Sequence, residues 1–292
     1  MAASLNSFSN KIQMVECPRD AMQGWKEFIP AEKKAVYLSS LLKVGFDTLD
    51  CGSFVSPKAI PQMADTREVL GRLDMSETKS KLLVIVANTR GAQEAVTFDQ
   101  ISYLGFPFSI SQTFQQRNTN SSMEESVKRV EEIQNLSLKN NKQLVVYLSM
   151  GFGNPYGDEY DDDILLHWAD EMVRRDINII SLADTVGVAT PDQIGFALET
   201  LIPAYPNTEF GVHLHSTPAN WPQKLAAAVA AGCKRFDGAL KGIGGCPMAK
   251  DELIGNMNTE WMIDLFKEQN IMPAINEEAL QEALRLADEI FV

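Results

Sequence analysis

The sequence contains no long run of apolar residues. Its longest uninterrupted apolar stretches are Leu82–Ala87 and Leu225–Gly232, whereas a membrane-spanning helix needs about 20 consecutive apolar residues. The first ten residues are rich in serine and asparagine and lack the apolar core of a secretory signal peptide. These two absences argue against a membrane protein and predict a cytoplasmic location.

Cysteine is scarce, since the 292-residue chain has four and no two of them form a C-x-x-C pair. The four are Cys17, Cys51, Cys233 and Cys246. Thiols this few and this widely spaced exclude a disulfide-based fold. They are typical of a protein in a reducing compartment.

Positive charge is also in short supply, because 26 lysine and arginine residues stand against 39 aspartate and glutamate residues. The net charge of -13 predicts a protein that binds neither nucleic acid nor an anionic membrane surface, since both require a basic face. An anionic small molecule is compatible with this charge, because a local basic or metal-bearing pocket would be enough to bind it.

The chain does contain a regular alternation of short β-type runs and longer helical patterns. Eight strands are predicted, at Ile12–Glu16, Thr48–Cys51, Leu82–Ala87, Phe108–Thr113, Gln143–Ser149, Ile177–Ala183, Glu209–His215 and Arg235–Ala239. Helical patterns with apolar residues at three- and four-residue spacing lie at Ala31–Val44, Ser122–Lys139, Asp161–Arg174, Pro191–Ile202 and Asn220–Ala231. Ser121 or Ser122 with Glu125 is typical of a capping box, and Pro191 is typical of a helical first turn.

This alternation predicts an α/β fold whose parallel sheet closes into a (β/α)8 TIM barrel. An open doubly wound sheet is the alternative, but no G-x-G-x-x-G sequence follows the first strand. We expect a single domain over residues 1–292, with the barrel at about 11–245 and a C-terminal loop and helices at about 246–292. The C-terminal helices are predicted at Thr259–Gln269 and Glu277–Ile290.

Two of the three histidines, His213 and His215, lie two residues apart at the end of an apolar run. Alternate residues of a strand point to the same face, so both imidazoles would reach one point and could bind a metal ion. A lone histidine is more often a hydrogen-bonded core residue. A dry core, however, has little use for two adjacent imidazoles.

Other polar residues follow the predicted strands at the edge where a TIM barrel carries its active site. Arg19 and Asp20 follow the first strand, and Pro18 could bend the chain so that both face the site. A surface ion pair is the alternative reading of this dipeptide. The further polar residues at or after strand ends are Asp50, Ser53, Asp184, Cys246 and Asn256.

Four of these side chains could form one metal centre. Asp20, His213, His215 and Asn256 offer two nitrogen and two oxygen ligands. This donor set suits Mg2+ or Mn2+, and Zn2+ is also compatible with it.

A cysteine follows the eighth strand in the glycine-rich segment Gly242-Ile-Gly-Gly-Cys246-Pro247. Glycines permit unusual dihedral angles and mobility, so Cys246 could enter the site as a general acid or base. A plain turn with an incidental thiol is the alternative, and the local sequence favours neither.

Together these segments resemble the hydroxymethylglutaryl-CoA lyase family, whose members are metal-dependent TIM barrels with an Arg-Asp pair after the first strand. The resemblance runs from about Lys11 to about Glu260. The segments that carry it are Val15-Glu-Cys-Pro-Arg-Asp-Ala-Met-Gln23, Gly52-Ser-Phe-Val-Ser-Pro-Lys58, Pro61-Gln-Met63, Asp184-Thr-Val-Gly187, His213-Leu-His215, Gly242-Ile-Gly-Gly-Cys-Pro247 and Gly255-Asn256.

The resemblance implies an activity and a role for each matching residue. The family cleaves 3-hydroxy-3-methylglutaryl-CoA to acetyl-CoA and acetoacetate through a thioester enolate. Arg19 matches the arginine that stabilises this enolate, and Cys246 matches a loop cysteine that handles a proton. The implied metal ligands are Asp20, His213, His215 and Asn256, with Asp20 and His213 also counted among the catalytic residues. The implied substrate-binding residues are Gln23, Asp50, Ser53 and Asp184. A homodimer is implied as well.

Three positions depart from the family pattern and bear on the substrate. Asp50 stands where the family has glutamate, Ser216 where aspartate follows the histidine pair, and Val145 where arginine lies on the fifth strand. A lyase or aldolase for another 3-hydroxy acyl-CoA or 3-hydroxy acid is therefore an alternative. A non-catalytic metal-binding barrel is a second one, but such a protein would need neither Cys246 nor Arg19.

Overall fold

A computed structural model describes residues 11–245 and 254–291 of the chain. Its eight parallel strands form one closed barrel in chain order, which confirms the predicted TIM barrel. The strands are β1 (Gln13–Glu16), β2 (Thr48–Ser53), β3 (Lys81–Ile85), β4 (Ile101–Ser109), β5 (Gln143–Ser149), β6 (Ile179–Asp184), β7 (Glu209–Leu214) and β8 (Arg235–Gly238). The barrel closes between β1 and β8, where Gln13 pairs with Arg235 and Glu16 with Gly238.

Helices follow the strands, and apart from the first one, which lies at the barrel mouth, they surround the barrel. They are α1 (Pro18–Gln23), α2 (Ala31–Val44), α3 (Thr66–Leu70), α4 (Thr89–Ala95), α5 (Gln112–Thr119), α6 (Met123–Lys139), α7 (Asp162–Val173), α8 (Pro191–Ala204), α9 (Trp221–Ala230), α10 (Thr259–Glu268) and α11 (Glu277–Ile290). Short 3-10 turns lie at Pro61–Met63 and Leu240–Gly242. In the described part of the chain, no helix has both the length and the apolar character that a membrane span requires.

The predicted helix starts agree with the structure. Ser122 and Glu125 form the capping box of α6, in which each side chain bonds the backbone N–H of the other residue. Pro191 is the first residue of α8, where its missing N–H leaves no helical bond unmade.

The fourth strand was predicted at the wrong place. The structure has β4 at Ile101–Ser109, not at Phe108–Thr113, and Gln112 already begins α5 with Ser111 as its N-cap. Gly105 and Pro107 lie inside β4, and both residue types are disfavoured in strand interiors, so they concealed it. A Cβ atom at Gly105 would lie 2.6 Å from Cδ1 of Ile85 inside the barrel, so a larger residue there would crowd the barrel interior.

The barrel interior has an apolar side and a polar side. The apolar side is a cluster from β3 to β6, formed by Leu83, Ile85, Tyr103, Val145, Tyr147 and Ile179. Facing it, β7 and β8 contribute the buried Glu209, Arg235 and Asp237 together with His213. The polar side leads up to the mouth formed by the carboxyl ends of the strands.

The C-terminal helices pack on the outside of the barrel. Helix α11 lies against α2, and the ring of Phe266 on α10 packs edge-on against Phe236 of β8 at a centroid distance of 5.1 Å. The predicted helices at Thr259–Gln269 and Glu277–Ile290 therefore exist, the first of them ending one residue earlier.

Candidate functional site

Helix α1 begins directly after β1 and turns the chain into the mouth of the barrel. Pro18 starts the helix, so Arg19 and Asp20 lie in its first turn and Gln23 lies one turn later on the same side. Nη1 of Arg19 donates to Oδ1 of Asp20 at 3.0 Å and to Oε1 of Gln23 at 2.7 Å. Nε2 of Gln23 donates to the same Asp20 oxygen at 2.6 Å. The bend predicted after Pro18 is thus a short helix that holds these side chains together.

Asp50 at the end of β2 holds the guanidinium of Arg19 from the other side. Nη2 and Nε of Arg19 donate to Oδ2 of Asp50 at 2.6 and 3.0 Å, and both side chains are buried. Burial lowers the pKa of Arg19, but Asp50 and Asp20 outweigh it and raise that pKa above its usual value. Arg19 is therefore a permanently charged group whose plane is fixed by a bidentate pair.

The carboxylate of Asp20 is ionised in this setting. Burial alone would raise its pKa, but the charges of Arg19 and His213 lower it to about 2. Its second oxygen, Oδ2, accepts a hydrogen bond from Nδ2 of Asn256 at 2.7 Å.

The two histidines at the end of β7 face the same site, with ring centroids 5.4 Å apart. Nδ1 of His213 lies 3.2 Å from Oδ2 of Asp237, which leaves Nε2 available on the other side of the ring. Burial lowers the pKa of His213, but the hydrogen bond to Asp237 and the charge of that residue raise it. The pKa of His213 is therefore higher than that of an ordinary histidine. For His215, burial and the neighbouring His213 lower the pKa to about 3. His215 is therefore neutral, as a metal-ligating imidazole must be.

Asn256 reaches the site through backbone pairing with the end of β7. His215 and Asn256 form an antiparallel bridge, in which the N–H of Met257 donates to the carbonyl of Leu214 at 2.8 Å. Nδ2 of Asn256 is used by Asp20 and by the Ile243 carbonyl, but its buried Oδ1 has no hydrogen-bond partner among the described residues.

These residues form a donor set that fits a divalent cation. Ligand atoms of Asp20, His213 and His215 all lie within 4.8 Å of one another. The buried, unpartnered Oδ1 of Asn256 would supply a fourth ligand, since an orphaned polar atom is costly unless something binds it. Two imidazoles with a carboxylate and an amide oxygen suit Mg2+ or Mn2+, as the sequence predicts.

The glycine-rich loop after β8 packs directly against this site as far as it is described. Gly244 has a φ of +110°, and a Cβ atom there would lie 2.5 Å from Nδ2 of Asn256 and 3.0 Å from the carbonyl oxygen of Asp20. Glycine is therefore required both by the backbone and by the close approach. Cys246, the predicted proton-handling residue, lies outside the described residues.

A cavity of about 400 Å³ opens above the site at the barrel mouth. Six of the site residues predicted from the sequence line this cavity: Arg19, Asp20, Gln23, Ser53, His213 and His215. Its apolar walls include Ile85 and Tyr147, and Arg117 of α5 contributes a cation. The volume falls within the range of small-molecule sites.

Two of the predicted substrate-binding residues lie behind the cavity wall. Asp50 is paired with Arg19, and Asp184 at the end of β6 accepts a hydrogen bond from Nζ of Lys224 at 2.6 Å, with its side chain fully buried. Asp184 also accepts a bond from the backbone N–H of Ala189 at 3.0 Å. In this structure their carboxylates hold protein groups in place.

Sequence reasoning missed Asp237 and Lys224. Asp237 alternates with Arg235 inside a predicted strand, and two charged residues on one face of a barrel strand indicate a polar interior. Lys224 lies four residues before the buried Ala228 of α9 and beside the buried Leu225. A lysine on the apolar face of a helix is the pattern that could have revealed it.

Comparison with known proteins places this arrangement in context. The family model described as HMGL-like matches residues 11–287. Hydroxymethylglutaryl-CoA lyase YngG of Bacillus subtilis is 29% identical over 93% of this chain and 90% of its own length. The cytoplasmic 3-hydroxy-3-methylglutaryl-CoA lyase of Rattus norvegicus is 30% identical over 97% of this chain and 82% of its own length.

A solved structure supports the same relationship. The HMG-CoA lyase of Acinetobacter baumannii, solved with coenzyme A and 3-methylmalate, superposes with a TM-score of 0.89 at 29% identity. The match covers the whole of this chain and 93% of that one.

Proposed function

The chain belongs to the HMGL-like family, and from this premise we propose that it is a divalent-metal-dependent carbon–carbon lyase that cleaves 3-hydroxy-3-methylglutaryl-CoA. The products would be acetyl-CoA and acetoacetate. One observation carries the proposal beyond family membership. The fixed guanidinium of Arg19 lies beside Asp20, in a ligand set that includes the two β7 histidines and the unpartnered oxygen of Asn256.

The reaction breaks the bond between C2 and C3 of the substrate. The proton of the 3-hydroxyl group leaves, C3 becomes a ketone carbon, and the bonding electrons pass to C2 and the thioester oxygen as an enolate. A proton then adds to C2 and gives acetyl-CoA. The protein must therefore stabilise charge first at the 3-hydroxyl oxygen and then at the thioester oxygen.

Asp20, His213, His215 and Asn256 are the residues that would hold the divalent cation. When bound, such a cation lowers the cost of removing a proton from a hydroxyl group that it contacts. Asp20 is ionised and His215 neutral without any metal, so neither must lose a proton for the ligand set to form.

Arg19 is the group that would meet the negative charge on the thioester oxygen. Asp50 fixes one edge of its guanidinium, and Asp20 with Gln23 fixes the other. A donor held in advance needs no reorganisation when charge develops, which makes such groups among the most effective in enzymes.

Asp237 would keep His213 in the useful tautomer. With the ring proton on Nδ1, Oδ2 of Asp237 accepts a hydrogen bond from it, so Nε2 carries no proton and faces the site as a ligand or a proton acceptor. Cys246 as the proton donor to C2 stays a prediction, as do the single domain, the cytoplasmic location and the homodimer.

A second candidate substrate is favoured by Val145. This side chain is fully buried among Tyr103 and Tyr147 inside the barrel, at the position where the resemblance places an arginine. An arginine at this position could pair with the second carboxylate of 3-hydroxy-3-methylglutaryl-CoA, and Val145 cannot. A 3-hydroxy acyl-CoA without a second carboxylate would therefore be at less of a disadvantage in this chain than in the family. Cleavage of 3-hydroxy-3-methylbutyryl-CoA would yield acetone and acetyl-CoA by the same bond scission.

The test is an assay for acetyl-CoA with both thioesters, run on the wild-type protein and on His215→Ala and Cys246→Ala. We expect Mn2+-dependent acetyl-CoA release from at least one thioester, lost in both variants. Release from the methylbutyryl thioester alone would select the second candidate. No release from either would overturn the proposed chemistry.

A further inference from the structure

Lys224 is a buried lysine on α9 whose side chain ends beside the metal-ligand set. Only 2% of its side chain is exposed. It lies near the N-terminus of α9, where the helix dipole disfavours a positive charge. A cation in such a place is kept only if specific acceptors compensate for the lost water.

The ammonium group has three hydrogens and three acceptors. Nζ of Lys224 donates to Oδ2 of Asp184 at 2.6 Å, to the carbonyl of Gly187 at 2.9 Å and to the carbonyl of His215 at 2.9 Å. These acceptors belong to the end of β6, the loop that follows it and the residue after β7. Lys224 therefore ties two neighbouring strand ends together at the level of the site.

The bond to His215 fixes the backbone of a metal ligand. The next residue, Ser216, donates its backbone N–H to the carbonyl of Gly255 at 3.0 Å, and His215 pairs with Asn256. One peptide segment is thus held on one side by Lys224 and on the other by the segment that carries Asn256. A shift of this segment would move both ligands.

Ser216 explains why a backbone contact matters in this chain. It stands where the resemblance places an aspartate, and a serine offers no carboxylate to orient the neighbouring imidazole. The Oγ of Ser216 contacts the sulfur of Met257 at 3.6 Å instead. The imidazole of His215 is then oriented by a hydrogen bond to the backbone of Ile254 and by the position of its own main chain.

We propose that Lys224 is a positioning residue that holds His215, and through it Asn256, in place to bind the divalent cation. This inference rests on the metal centre of the proposed function. Lys224 lies behind the cavity wall and touches neither the cavity nor the reacting atoms.

The experiment measures Mn2+ binding to metal-free protein by electron paramagnetic resonance of the free ion. Lys224→Met alone would leave the Asp184 carboxylate buried without its partner, so it risks unfolding. The double variant Lys224→Met/Asp184→Asn removes both charges and is the main test. Lys142→Met is the matched control. Lys142 is also buried, and it donates to the carbonyls of Phe98 and Asp99. It lies just before β5, at the end of the barrel away from the site.

The double variant should fold, shown by a cooperative thermal transition, and bind Mn2+ about 10- to 100-fold more weakly, the usual cost of losing a group that orients a ligand. Lys142→Met should bind Mn2+ within twofold of wild type even though it lowers Tm. A folded double variant with wild-type affinity would overturn the positioning role alone. Absence of Mn2+ binding by the wild-type protein would overturn both this role and the metal centre.

Discussion

The Nη2 atom of Arg19 lies 2.6 Å from Oδ2 of Asp50, across the gap between the first turn of α1 and the end of β2. Asp50 has a side chain one methylene shorter than the glutamate of the family pattern, yet it still reaches the guanidinium at two nitrogens. The departure at position 50 therefore preserves the fixed arginine on which the proposed chemistry depends.

Replacing Arg19 with lysine should lower the catalytic rate severely, although the positive charge is kept. An ammonium cannot form the bidentate pair with Asp50 while also meeting Asp20 and Gln23. We expect kcat to fall about 100- to 1,000-fold, the usual cost of losing one preorganised donor. Steady-state kinetics measures this, with Arg67→Lys as the control in an exposed surface pair with Glu94. A loss below tenfold would mean that Arg19 does not meet developing charge.

Asp237→Asn should weaken metal binding while keeping the volume of the buried side chain. The asparagine amide can donate to Nδ1 of His213, which places the ring proton on Nε2 and removes it as a ligand. We expect Mn2+ affinity to fall about 10- to 100-fold. Calorimetric titration of the metal-free protein provides the measurement, and unchanged affinity would show that Asp237 does not set the tautomer.

Gly244→Ala should disturb the site by steric contact. The added methyl group would lie 2.5 Å from Nδ2 of Asn256, so Asn256 or the loop must move. Gly45→Ala is the control, because Gly45 also has a positive φ of +86° but nothing within 4 Å of the new methyl group. Both variants should lose some stability in urea unfolding, but Gly244→Ala alone should lose Mn2+ affinity. Equal Mn2+ affinities in the two variants would count against this contact.

Glu16→Gln should change how stability depends on pH. Burial raises the pKa of Glu16 to about 8 in the folded protein, partly offset by hydrogen bonds from Thr259 and the Leu240 backbone. Between about pH 4.5 and 8, Glu16 keeps its proton in the folded state but has lost it in the unfolded state. The free energy of unfolding of the wild-type protein therefore falls as pH rises through this window.

Glutamine keeps both hydrogen bonds, because the Thr259 hydroxyl can also accept. The variant should therefore gain stability relative to wild type as pH rises from 5 to 8, by roughly 1 kcal/mol for each pH unit. Urea unfolding at several pH values measures this difference. Parallel pH profiles for the two proteins would contradict it.

The barrel and the histidine pair could be predicted because each rests on a local period. Strands alternating with helices indicate a parallel barrel, and the two-residue spacing of His213 and His215 fixes their common face. Gly105 and Pro107 broke the local pattern of β4, since tertiary packing and not propensity decides that strand.

The partners of buried charges could not be predicted in this way. Asp50 and Asp184 lie at or near strand ends, which the sequence indicates. It does not indicate that Asp50 pairs with Arg19 of α1, or that Asp184 pairs with Lys224 of α9. Asp237 contacts a histidine on another strand. Such pairs are properties of the closed barrel, in which residues far apart in the chain share one small interior.

The most direct test follows product formation from 3-hydroxy-3-methylglutaryl-CoA while Mn2+ is added back to metal-stripped protein. The account predicts no cleavage in the presence of chelator, and with Mn2+ equal amounts of acetyl-CoA and acetoacetate at a rate that saturates with metal. Cleavage that persists after metal removal would contradict the metal centre of Asp20, His213, His215 and Asn256. Tight Mn2+ binding without cleavage would contradict the assigned substrate.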